Sequence, residues 1–160
     1  IDADSSPFDP EQAEYYAANA RRYREELLAL HEEVQAAIAS IPEEQRVMIT
    51  AHDAFEYFGR AYGIEVRGLQ GISTLSEYGL RDVSELVGFI VGRGIKAVFV
   101  ESSVPRKSLE AVVEGCRQKG HEVEIGGTLY SDAMGAAGTP EGTYTGMVRY
   151  NVRTIVSSLK

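Results

Sequence analysis

Among the polar residues of this 160-residue chain, one imidazole and one carboxylate invite a chemical reading: His52, in Thr50-Ala51-His52-Asp53, and Asp132, in Tyr130-Ser131-Asp132. Neutral imidazole nitrogen and carboxylate oxygen suit zinc or a similar divalent ion, which usually takes about four ligands. The same pair could serve a hydrolytic relay, with Ser102 or Ser103 as nucleophile, His52 as base and Asp132 as orienter. Against that chemistry, the Gly-x-Ser-x-Gly elbow is missing and neither serine has glycine neighbours. A third reading leaves His52 structural, in a metal-free interaction domain. The remaining histidines do not enlarge the set. His31 falls inside a helical pattern, and His121 follows Gly120 just before a strand, at the edge opposite His52. Asp53 directly precedes Ala54-Phe55 and reads as an N-cap. The pair Gly126-Gly127 follows a strand but lacks the G-x-G-x-x-G spacing of a nucleotide-binding turn.

Residues so far apart in the chain act together only if the fold gathers them. Residues 1–9 read as a loop. Asp9-Pro10 then reads as an N-cap followed by proline at the first helical position. The apolar stripe Tyr16, Tyr23, Leu27, Leu30, Val34, Ile38 and Ile41 steps mainly by three, four or seven residues until Pro42. That spacing predicts a helix of about 30 residues, about 45 Å long at about 1.5 Å per residue. Such a helix outruns a domain of this size, so residues 10–45 read as a long helix and connector with something else packed against its far end. Further on, short apolar runs alternate with amphipathic stretches. Strands are predicted at 47–49, 64–69, 97–100 and 123–125. Helices are predicted at 54–62, 77–93, 105–119 and 143–159, with a loop at 70–74 and a Gly-rich loop at 126–142. This order predicts an α/β lobe over 46–160: a four-stranded, mainly parallel sheet with helices on both faces. Ligands of such sheets bind outside the carboxyl ends of the strands. His52, Glu101-Ser102-Ser103 and the segment leading to Asp132 all follow strand ends, so they should share one rim.

Composition narrows the partners. Sixteen basic against 24 acidic side chains leave a net charge of −8, which disfavours nucleic acid because phosphate neutralisation needs a basic face. The single cysteine, Cys116, excludes an internal disulfide and a Cys-cluster metal site. Its place beside Leu109, Val112 and Val113 makes it a small core residue. No stretch approaches the roughly 18 apolar residues of a membrane-spanning helix. The opening Ile-Asp-Ala-Asp-Ser-Ser has neither a basic n-region nor an apolar h-region. The chain therefore reads as cytoplasmic, or as a processed piece of something longer.

Four motifs sharpen the picture. Thr50-Ala51-His52-Asp53-Ala54-Phe55-x-Tyr57-Phe58, followed by Ala61-Tyr62-Gly63, resembles the third-ligand segment of the zinc/manganese solute-binding proteins of ABC importers. Phe99-Val100-Glu101-Ser102-Ser103-Val104 resembles a stretch two strands further on in that family. Leu129-Tyr130-Ser131-Asp132-Ala133-Met134-Gly135 resembles the segment carrying its fourth ligand, an aspartate. Gly142-Thr143-Tyr144-x-Gly146-Met147-Val148-x-x-Asn151 resembles its closing helix, and Tyr15-Tyr16, Asn19-Ala20 and Tyr23 resemble the helix joining its two lobes. The resemblance implies two α/β lobes with a metal ion in the cleft, two ligands from each lobe. This chain would supply the linking helix and the C-terminal lobe. It makes His52 and Asp132 metal ligands and leaves Glu101 and Ser102 as residues behind them or in the cleft. The cargo it implies is zinc or manganese, with an imidazole at position 52 leaning mildly towards zinc. Its implied partners are the N-terminal lobe and a membrane permease, and its implied location is periplasmic or extracellular, membrane-anchored in the intact protein. The protein would bind rather than catalyse. A linking helix left without its second lobe could also pair two copies of the chain.

Overall fold

Residues 9–70, 80–103 and 106–160 are described by the computed structural model of the chain. The predicted loop at 70–74 and the first turn of the helix predicted at 77–93 fall largely outside them. The chain opens with a 3-10 turn, Pro10–Gln12, before α1 (Ala13–Ala39). The helix thus starts three residues later than the Asp9-Pro10 pair predicts. Asp9 closes the turn instead of capping the helix: its carbonyl accepts the Gln12 N–H at 3.2 Å, and its carboxylate accepts the Tyr16 hydroxyl at 3.1 Å.

The lobe follows in strict alternation: β1 (Val47–His52), α2 (Glu56–Tyr62), β2 (Glu65–Gln70), α3 (Leu80–Arg93), β3 (Ala97–Glu101), α4 (Lys107–Gln118), β4 (Glu124–Leu129) and α5 (Tyr144–Leu159). The strand order is β2-β1-β3-β4, and every pairing is parallel. Both faces are covered, as the uninterrupted apolar runs require. Against one face pack Leu86, Val87 and Ile90 of α3 with Leu109, Val112 and Cys116 of α4. Against the other pack Leu30, Val34 and Ile38 of α1 with Phe55 and with Val152, Ile155 and Leu159 of α5. Each fully buried aliphatic side chain contributes about 1.5–3 kcal/mol relative to exposure. Only the second half of α1 takes part. Tyr16 and Leu27 are half-buried, while Tyr15, Tyr23 and Leu28 stay 61%, 39% and 58% exposed.

Two local expectations need correction. Gly126 and Gly127 belong to β4, not to a loop, so the strand runs four residues beyond the predicted 123–125. Alternation is invisible where the side chain is a hydrogen, and here glycine is required by close approach. A Cβ on Gly126 would lie 2.6 Å from the Ser158 hydroxyl, and one on Gly127 would lie 2.5 Å from a Thr154 methyl, so α5 rests directly on the strand. Asp53 is not an N-cap either. A turn closed by the Ala54 N–H on the His52 carbonyl, 3.0 Å, separates strand from helix, and Phe55 occupies the cap position.

Candidate metal centre

Strand periodicity decides what His52 meets. Along β1, Val47, Ile49 and Ala51 point into the α3/α4 core while Met48 points into the α1/α5 core; along β3, Val98 and Val100 take the first side and Ala97 and Phe99 the second. His52, four residues on from Met48, and Glu101, two on from Phe99, therefore share the α1/α5 face. Thr50 stands opposite Phe99 in the pairing, so His52 and Glu101 are also level with each other.

The contact is close. The His52 backbone N–H donates to Glu101 Oε1 at 2.7 Å, and His52 Nδ1 lies 3.6 Å from Glu101 Oε2. Glu101 is 2% exposed, whereas the His52 side chain is 41% exposed. Nδ1 and Oε2 are both buried without a hydrogen-bond partner. Buried polar atoms of this kind call for an explanation. An imidazole with a carboxylate 3.6 Å behind it and its other edge open resembles the carboxylate-backed histidines of metal sites, without their hydrogen bond.

Asp132 comes from the other side of β3. It lies three residues past the end of β4, exposed, in the left-handed region with φ of 54°, a conformation that aspartate tolerates better than most residues. The two residues before it are anchored. Both backbone groups of Tyr130 bond the Asn151 side chain at 2.9 Å, and the buried Ser131 shares a 2.7 Å hydrogen bond with Ser103. A cleft of about 180 Å³ opens beside Asp132, walled by Phe55, Phe58, Tyr130, Tyr144 and Met147 among others.

β1 and β4 flank β3, so their backbones run about 9–10 Å apart at the usual spacing of about 4.8 Å. His52 and Asp132 thus rise from the same edge on either side of one strand. Among the described residues no three or more His, Cys, Asp or Glu side chains converge as a metal cage. The other histidines are elsewhere. His121 contacts the Ile95 carbonyl at 2.7 Å at the opposite edge of the sheet, and His31 contacts the Tyr62 hydroxyl at 3.0 Å between α1 and α2. Ser102 is exposed and holds the Leu129 carbonyl through its backbone N–H at 2.9 Å. Among the described residues no hydrogen bond joins His52 to Ser102, Ser103 or Asp132, and Ser103 is engaged with Ser131. The hydrolytic relay is not assembled. Local sequence pattern assigns no individual role to Asn151 or Ser131. The available signal for Asn151 was a polar residue on the buried stripe of α5, between Val148, Val152 and Ile155.

A family model described as the periplasmic component A of a zinc-uptake complex matches residues 1–158. The chain belongs to this family. It is 57% identical over 160 residues to the manganese-binding lipoprotein MntA of Bacillus subtilis (strain 168), covering all of this chain and 52% of that protein. It is 49% identical over 150 residues to the zinc-binding protein TroA of Treponema pallidum (strain Nichols), covering 94% of this chain and 49% of that protein. The solved structure of the periplasmic zinc-binding protein TroA from Treponema pallidum matches with a TM-score of 0.92 at 48% identity, covering 96% of this chain and 56% of that one. The chain spans about half the length of these relatives. The α/β lobe with its long leading helix is the fold it shares with the solved TroA structure, and none of these relatives is a hydrolase by name.

Proposed function

We propose that this chain is the C-terminal half of a two-lobe protein that captures zinc or manganese for an ABC importer, with His52 and Asp132 as the two ligands it contributes. The observation that carries the reading is His52 set against the buried Glu101 carboxylate on the edge that Asp132 also reaches. With Nδ1 turned inward, Nε2 is the nitrogen left for an ion, and Glu101 stands behind the ring. Ser102 lies beside the pair as a cleft residue. Residues 10–45 link the lobes and 46–160 form the ion-holding one; the other half of the protein supplies the remaining ligands and closes the cleft. The protein works by binding and release, in the periplasm or outside the cell, anchored to a membrane in its intact form, and hands the ion to a permease. The relatives named for manganese and for zinc support a divalent transition ion and leave both within the reading. On its own the chain pairs through the uncovered part of α1.

Two ligands of about four cannot enclose an ion, so water completes its shell. Structural zinc held by a full set is worth roughly 10–16 kcal/mol; half a set corresponds to a Kd on the order of micromolar to millimolar. Calorimetric titration of the chain with zinc and with manganese, repeated on His52→Ala and Asp132→Ala, tests this. Both substitutions should weaken binding by about tenfold or more. Nanomolar zinc binding untouched by either substitution would place the site elsewhere.

A further inference from the structure

Asp132 has no strand neighbour to hold it. It stands on an irregular segment after the edge strand β4, yet a ligand must be presented within a fraction of an ångström. The hydrogen bonds around it show how that is done. Among the described residues no further strand lies on the outer side of β4, so the outward backbone groups of Tyr130 would be left to water. Asn151, 5% exposed on α5, takes them both: its Oδ1 accepts the Tyr130 N–H and its Nδ2 donates to the Tyr130 carbonyl, each at 2.9 Å. The same Nδ2 reaches the Met147 sulfur at 3.4 Å, and the rings of Tyr130 and Tyr150 meet edge to face at 5.2 Å. A side-chain amide thus stands in for one residue of a neighbouring strand, with both its oxygen and its nitrogen satisfied.

We infer that Asn151 is a positioning residue for Asp132. It extends the order of β4 past its last paired residue and sets the direction from which the chain turns, through Ser131, into the left-handed conformation of Asp132. Ser103 supplies the second restraint from the β3 side through Ser131. Asn151 touches no ion; it acts through Asp132 alone. The inference rests on the reading of Asp132 as a ligand.

The test is a double-mutant cycle read by zinc titration of the chain, with thermal unfolding recorded for every variant. Asn151→Asp keeps the size and the acceptor but replaces the donor facing the Tyr130 carbonyl with an oxygen; Asn151→Ala removes both bonds. Each should weaken zinc binding by about 10–100-fold, the range seen when groups behind metal ligands are removed. The loss should vanish in an Asp132→Ala background, because a residue that acts through Asp132 has nothing left to position. Ile90→Ala, in the core on the far face of the sheet, should lower the unfolding temperature and leave the affinity unchanged. Unaltered affinity in both Asn151 variants, alongside a clear loss in Asp132→Ala, would overturn the inference and leave the metal reading standing. So would an Asn151 effect that persists in the Asp132→Ala background, or an equal loss of affinity in Ile90→Ala. No effect of Asp132→Ala itself would overturn both.

Discussion

The Glu101 carboxylate has one oxygen on the His52 backbone at 2.7 Å and the other 3.6 Å from the His52 ring. It therefore holds the main chain of His52 and stands beside the ring of the same residue without a hydrogen bond to it. Glu101→Gln preserves the shape and a carbonyl acceptor but removes the negative charge opposite Nδ1. Zinc affinity of the chain should fall by about tenfold or more, the usual cost of losing a carboxylate behind a metal-bound imidazole. Titration of Glu101→Gln beside His52→Ala checks this, and an affinity equal to the unsubstituted chain would show that the carboxylate only fills space. The sequence placed Glu101 near His52 because both follow strand ends. That the two are level, on one face, needed the β1–β3 register, which joins residues 49 positions apart.

Among the secondary-structure elements, the seating of α5 on β4 matters most for the site, because α5 carries Asn151. Gly126 and Gly127 permit that seating, with Ser158 and Thr154 in the space a side chain would occupy. Gly126→Val should destabilise the fold by about 1–3 kcal/mol, the cost of forcing extra carbons into a packed layer, and weaken zinc binding as α5 shifts. Urea unfolding and titration of the same variant measure both. On the opposite face, α4 buries Cys116 completely. Burial pushes its thiol above the ordinary value of 9.0, with Lys119 partly offsetting the rise. The unfolded chain then ionises first. The thiol's contribution to stability is complete below that ordinary value and is lost as pH rises through the folded one. Urea midpoints should fall from about pH 8 to about pH 10, by less in Cys116→Ala once its cavity cost at pH 8 is subtracted. Thiol reagents should label Cys116 only as fast as the chain opens.

At the scale of the whole molecule, α1 is half inside the lobe and half outside it. Leu30, Val34 and Ile38 are buried, whereas Tyr15, Tyr23 and Leu28 are exposed. Opening free energy follows buried contacts, so amide hydrogen exchange should be fast over the first half of α1 and slow over its second half. Uniform protection along the helix would show that something covers the far half. Exposed aromatic patches favour association. Sedimentation should show concentration-dependent pairing of the isolated chain, reduced in Tyr23→Ser; a monomer at all concentrations would remove the proposed pairing.

Local pattern was sufficient for a large part of this protein. Helical and strand periods, Pro42, and the glycines ending α2, α3 and α4 decide the order of elements. That order decides a parallel sheet, and a parallel sheet decides the edge at which His52, Glu101 and Asp132 emerge. What remained hidden was whatever depends on contacts between distant segments. The strand order that puts β3 between His52 and Asp132, the register that sets Glu101 behind His52, and the amide of Asn151 standing in for a missing strand are all of this kind. Periodicity records which residues of one element share a face. Which element that face meets, and at what level, is settled only when long-range packing brings the segments together.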